Sequence, residues 1–167
     1  MVHKGSRVVR ECAELSSRWG LPLEFHVAGE PVDMTLFEQR TPRLVTYGRY
    51  KRDDLPSMLD GIGVHVAWFP VQWPEAYCYV LSEVMVTGLP VVGAELGALP
   101  ERLAGRPLSL VEPWDADPEV WLELFLRLYE GRWPSPPALA PYAYPDDFYI
   151  EGYWTPKIPS RRNVADP

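Results

Sequence analysis

The chain has 167 residues, 47% hydrophobic and 13% aromatic, which is ample for one packed domain and excludes disorder for its body. Its 23 acidic against 16 basic residues give a net charge of −7, which argues against a general nucleic-acid binder, because phosphate contacts need clustered Lys and Arg. No apolar stretch approaches the ~20 residues that span a bilayer, and the opening MVHKGSRVVRE has no apolar signal core, so the expected compartment is the cytoplasm, with peripheral membrane contact left open.

The first predicted element is an amphipathic helix over residues 6–19. Val8, Cys12, Leu15 and Trp19 share one face, Arg10, Glu11, Glu14 and Arg18 fall largely outside it, and Gly20 ends it. LEFHVAGE at 23–30 and RLVTYG at 43–48 read as short buried strands, 51–62 as a short helix, and VHVAWF at 64–69 as a third strand. A helix carrying Glu83 is predicted to begin near Tyr77, followed by strands at 90–94 and 107–111. Asp117 as N-cap and Pro118 at the first helical position open a last helix, whose apolar face is Val120, Trp121, Leu124, Phe125 and Leu128 before Gly131. This alternation predicts an α/β fold, a Rossmann-like parallel sheet with helices on both faces, over residues 1–131. Residues 132–167 form a Pro-rich tail with Tyr142, Tyr144, Phe148, Tyr149, Tyr153 and Trp154; so many aromatics predict packing on this domain or another rather than a solvated extension.

Cys12 and Cys78 form no CxxC or Cys/His cluster, so neither a zinc site nor a disulfide framework is suggested and packed, reduced thiols are expected. His3, His26 and His65 share no ligand spacing, and His65 reads as a strand residue. No metal or cofactor is called for.

Glu75 and Glu83 are the most informative pair. With a helix starting near Tyr77, Glu75 lies in the loop just ahead of it and Glu83 about two turns in. Backbone amides free at a helix start suit an anionic or hydroxyl-rich ligand, and carboxylates beside them accept hydrogen bonds from sugar and ribose hydroxyls. Taken in isolation, the two acids are better explained as a helix N-terminal charge and a solvated helix position.

The surrounding run WPEAYCYVLSEVMVTGLPVV resembles the signature of retaining glycosyltransferases with the GT-B fold, in particular glycosyltransferase family 4, whose donor domain carries a Glu, seven residues and a second Glu. Trp73-Pro74 leads into the first Glu, a helix carries the second, Gly88-Leu89-Pro90-Val91-Val92 starts the next strand, and GAELGALPERLAGRP continues the likeness. Bacterial glycosyltransferases of surface-polysaccharide assembly are similar also around TYGRY and WFPVQWPE. The resemblance implies that Glu75 binds hydroxyls of the transferred sugar, that the backbone of Ala76, Tyr77, Cys78 and Tyr79 faces the sugar or diphosphate, and that Glu83 holds the ribose. Lys4-Gly5-Ser6 fits the phosphate position: Gly5 permits close backbone approach, Ser6 can cap the helix, and Lys4 supplies a point charge that acts with Glu75 in catalysis. Gly48, Arg49 and Tyr50 fall where the family reads the base, although an ordinary strand-to-loop turn explains them equally well.

The implied function is the donor half of a retaining, metal-independent hexosyltransferase. It would move a sugar from a UDP- or GDP-linked nucleotide-sugar to a polysaccharide or other glycan acceptor, with a partner domain or chain supplying the N-terminal half. The strand expected ahead of Lys4 and that N-terminal half have no counterpart, so the sequence reads as truncated at its N-terminus and the sheet as lacking an inner member. Two alternatives stay open. One is a catalytically inactive nucleotide-sugar-binding or assembly module. The other is a different GT-B-like enzyme, a sugar-nucleotide epimerase or a phosphorylase, although no pyridoxal phosphate lysine can be placed for the latter.

Overall fold

The computed structural model describes residues 4–29 and 41–134. Helix α1 (Ser6–Arg18) is followed by strands β1 (Phe25–Val27) and β2 (Leu44–Thr46), and a 3-10 turn at Arg52–Asp54 runs into α2 (Leu55–Ile62). Then come β3 (Ala67–Phe69), α3 (Tyr79–Met85), β4 (Val91–Ala94), α4 (Leu99–Leu103), β5 (Ser109–Glu112) and α5 (Pro118–Tyr129).

Helix α1 buries Val8, Cys12, Ala13 and Ser16, while Arg7–Glu11 and Arg10–Glu14 pair one turn apart on its outer side at 3.6 and 3.7 Å. The helix stops at Arg18. Trp19 becomes its C-cap and is half exposed rather than on the buried face, because the chain turns at Gly20 and the Leu21 N–H returns to the Ser16 carbonyl. In α5 the buried stripe is Trp121, Leu122, Leu124, Phe125 and Leu128; Val120, expected on it, lies at the stripe's margin in the first turn and is exposed, and Leu122 takes its place. Asp117 is the N-cap as expected, though without a side-chain cap bond.

All strand pairs are parallel. β1 pairs with β2, Phe25 opposite Leu44, and β3-β4-β5 form a second sheet with Ala67 opposite Val91 and Val91 opposite Ser109. The architecture is therefore α/β, two small parallel sheets flanked by helices, compatible with a Rossmann-like fold. No ladder among the described residues joins the two sheets. β1 and β3 meet through side chains instead: the Phe25 and Trp68 rings lie 5.9 Å apart, and both contact Phe125. The ladders are shorter than the apolar runs that suggested them, since residues such as Val66 pack on the core without pairing. His65 accordingly lies in an exposed bend ahead of β3, not in the strand.

Two cores result. One joins Val8, Cys12, Phe25, Val92 and Leu110 to the buried stripe of α5, and the other joins Leu55, Cys78, Leu81, Val84, Val91, Leu99 and Leu103 from α2, α3, α4 and β4. Among the described residues no helix is long and apolar enough to cross a membrane. His3 and the aromatics expected to anchor the tail, from Tyr142 to Trp154, lie outside the described residues.

Candidate functional site

The site begins where α1 meets the end of β3. Gly5 is the N-cap of α1 at φ 75, and a Cβ there would stand 2.0 Å from the Pro70 carbonyl oxygen, so only glycine allows this approach. Ser6, expected to cap the helix, is instead its first helical residue and is buried, and α1 has no side-chain cap bond, because the left-handed Gly5 occupies the cap position. The close packing of Gly5 on Pro70 carries Lys4 to Glu75: Nζ lies 3.3 Å from Oε1, with the lysine side chain 63% exposed and the glutamate 27%. A pair this accessible costs little to open for a competing anion.

Glu75 is held from below by the entry to α4. Gly97, at φ 59, brings its own backbone so near that a Cβ would lie 2.7 Å from both the nitrogen and the oxygen of Glu75, and the Ala98 N–H donates to the Glu75 carbonyl at 3.0 Å. Three residues on, Cys78 is the N-cap of α3, so the helix starts at Tyr79 and not near Tyr77. The Cys78 backbone is outside the helical region, with ψ 96, and its carbonyl accepts from the Leu81 N–H at 3.1 Å and from Arg102 Nη1 at 2.6 Å. No backbone–backbone bond among the described residues engages the N–H groups of Ala76, Tyr77 or Cys78. Burial pushes the Cys78 thiol up; the Leu81 N–H opposes this, and the Glu75 carboxylate beside it raises it further.

Glu83 projects from α3 and is only 15% exposed, with Oε1 3.0 Å from Arg52 Nε. The TYGRY turn reaches the same place through Tyr50, whose phenol is pushed up by burial and then by the Glu83 charge. Gly48 accepts a hydrogen bond from the Gly29 N–H at 2.9 Å, and Arg49 has interactions of its own. Two ion pairs thus mark the site, Lys4–Glu75 with the Cys78 thiol beside it and Arg52–Glu83 with the Tyr50 phenol near it. The Tyr77 and Tyr79 rings point outward, 50% and 73% exposed, in edge contact at 5.1 Å.

Three residues at this site were assigned no role from the sequence: Arg52 falls in the helix expected at 51–62, and Gly97 and Arg102 fall in the GAELGALPERLAGRP run, where the Gly-Ala-Leu-Pro stretch does mark a turn into a helix with proline at its start. A cleft of about 510 Å3 lies elsewhere, along β5 and α5, lined by Leu110, Glu112, Leu124, Arg127 and Trp133. No protein-family model matches the chain, and no curated protein matches it.

Chemically, the site offers two carboxylates that accept from hydroxyls, one exposed ammonium, and backbone N–H donors between the carboxylates. Such a set suits a ligand with a polyhydroxylated part and an anionic part.

Proposed function

We propose that the chain is the donor-binding part of a retaining glycosyltransferase, binding a UDP- or GDP-linked sugar for transfer to a glycan. The observation that carries this reading is the meeting of Lys4 with Glu75 beside unengaged amides, with Glu83 and Tyr50 next in line, since the resemblance requires these separated segments to converge. Glu75 would accept hydrogen bonds from sugar hydroxyls, Glu83 from the ribose, and Lys4 would leave Glu75 for the diphosphate. As the bond from sugar to phosphate breaks, charge grows on the leaving diphosphate, and Lys4 with the amides of residues 76–78 would stabilise it. The acceptor, and any group that activates it, would come from a partner domain or chain.

One observation favours a second reading, a binding or assembly module without turnover: β1 and β3 are not paired to each other, so the sheet that would carry the site is divided. Calorimetric titration of the folded chain with UDP, GDP and their sugar conjugates, beside Glu83→Ala, tests donor binding. Loss of a charge-assisted hydrogen bond of about 1.5–3 kcal/mol should weaken binding at least tenfold. An unaltered isotherm for the variant sinks the role of Glu83, and no binding by the folded wild type sinks the donor reading. Turnover with a glycan acceptor excludes the module, and formation of an epimer without acceptor would move the assignment to an epimerase.

A further inference from the structure

Arg102 stands at the end of α4 and makes three contacts with the segment that carries the site. Its Nη1 donates to the Cys78 carbonyl at 2.6 Å, its Nη2 donates to Ser82 Oγ at 2.7 Å, and its guanidinium carbon lies 4.1 Å from the centre of the Tyr77 ring. Ser82 Oγ in turn donates to the Tyr77 hydroxyl at 3.3 Å, closing a ring of contacts around the guanidinium. Charge-assisted bonds of this kind are stronger than neutral ones, and a planar guanidinium can bond along its edge while stacking through its face, which an ammonium cannot do.

The loop is therefore pinned at both ends by one short helix. The Glu75 carbonyl is fixed by the Ala98 N–H at 3.0 Å, and the Cys78 carbonyl by Arg102. Between the two pins lie Ala76 and Tyr77, whose N–H groups no backbone–backbone bond among the described residues engages.

We infer that Arg102 is a positioning residue: it locks residues 75–78 in the shape that presents their amides and the Glu75 carboxylate to a ligand, and so removes the cost of ordering that loop on binding. The ligand class, a nucleotide-sugar diphosphate, rests on the function proposed above, whereas the lock itself does not. Pre-organisation raises affinity by cutting ordering costs, so loosening the loop lowers affinity without removing any atom that touches the ligand.

The two cysteines supply a readout. Cys78 lies at the pinned end of the loop and is 6% exposed; Cys12 is fully buried in the other core, with its thiol pushed up to about 12 by burial first. Labelling the full chain with iodoacetamide, followed by peptide mass spectrometry, reads the loop through Cys78 and global unfolding through Cys12. In Arg102→Ala, Cys78 labelling should rise at least tenfold while Cys12 labelling stays at the wild-type rate, and millimolar guanidinium should slow Cys78 again where equal sodium chloride does not. Arg102→Lys should label as Arg102→Ala does. UDP- or GDP-sugar affinity of Arg102→Ala should fall about tenfold. If Arg102→Ala does not fold, Ser82→Ala, which removes one leg of the clamp, should show the same selective rise to a smaller degree. Cys78 labelling that is unchanged, or that rises in parallel with Cys12, overturns the lock. A selective rise in a chain that binds no nucleotide-sugar upholds the lock and overturns the proposed ligand.

Discussion

Replacing Gly97 by alanine tests how the fold positions Glu75. The backbone there is left-handed, at φ 59, and an alanine in that conformation costs ~1 kcal/mol or somewhat more whatever surrounds it. Gly105→Ala supplies the control, since Gly105 has φ 68 and nothing within 4 Å of its Cβ position. At Gly97 the Cβ would stand 2.7 Å from the Glu75 nitrogen and oxygen, so the two backbones must part by about 0.7 Å to reach ordinary contact at 3.4 Å. That shift stretches the 3.0 Å bond from the Ala98 N–H to the Glu75 carbonyl beyond useful range, at about 1 kcal/mol, and the new Cβ would also crowd Pro74 Cα at 3.1 Å. Gly97→Ala should thus be less stable than Gly105→Ala by about 1–3 kcal/mol in urea unfolding followed by far-ultraviolet circular dichroism. Its Glu75 should also no longer sit where Lys4 reaches it. Equal stabilities for the two variants would refute the contact on which the placement of Glu75 rests.

Two titrations follow from burial. The folded Cys12 thiol is raised from 9.0 to about 12, so it contributes stability that is complete below pH 9 and lost as the pH rises toward 12; base denaturation should begin above pH 9 and move up in Cys12→Ala relative to its own neutral stability, and identical alkaline curves would contradict this. Glu112 is raised from 4.5, chiefly by burial against the opposing pull of Arg127, so the stability it contributes is present below pH 4.5 and lost as the pH climbs through its folded value. Glu112→Gln should therefore gain on the wild type as the pH rises above 4.5, and parallel stability curves would show that the carboxyl is not desolvated.

Apart from α4 (Leu99–Leu103), a helix too short to show a periodic apolar face and not expected between the strands at 90–94 and 107–111, the order and type of the elements were legible because apolar periodicity reports burial directly: Val8 and Cys12 on α1, and Trp121, Leu124, Phe125 and Leu128 on α5, lie where their spacing puts them. The convergence of Lys4 and Glu75 was legible only through a resemblance, since nothing in a Lys-Gly-Ser run tells which strand end it packs on. What escaped the sequence was what depends on tertiary neighbours. The start of α3 moved from Tyr77 to Tyr79 because Cys78 leaves the helical region while its carbonyl is held by Arg102, and no local propensity encodes an arginine from another helix. Trp19 and Val120 were misplaced for a simpler reason. A helical wheel assumes the helix continues, and both residues lie at its ends.

The division of the sheet has an energetic consequence that centres on Trp68. Backbone ladders hold each sheet internally, but between β1 and β3 the connection runs through aromatic side chains: Trp68 meets Phe25 at 5.9 Å, Trp121 at 5.2 Å and Phe125 at 5.1 Å. Its indole N–H is buried with no hydrogen-bond partner among the described residues, so the residue is retained at a desolvation cost that its packing must exceed. Trp68→Phe keeps a ring in the cluster and removes that unpaired donor, and should change stability by less than about 1.5 kcal/mol. Trp68→Ala removes the ring and should cost about 3–5 kcal/mol, and the loss should fall unevenly. Among the described residues β1 and β2 have only each other as strand partners, whereas β4 is paired on both sides, so the amides of β1 and β2 should exchange with solvent well before those of β3, β4 and β5 in the alanine variant. Hydrogen exchange that accelerates to the same extent in both sheets would mean that the aromatic cluster is not what couples them, and that α1 and α5, packed across the same core, carry the coupling alone.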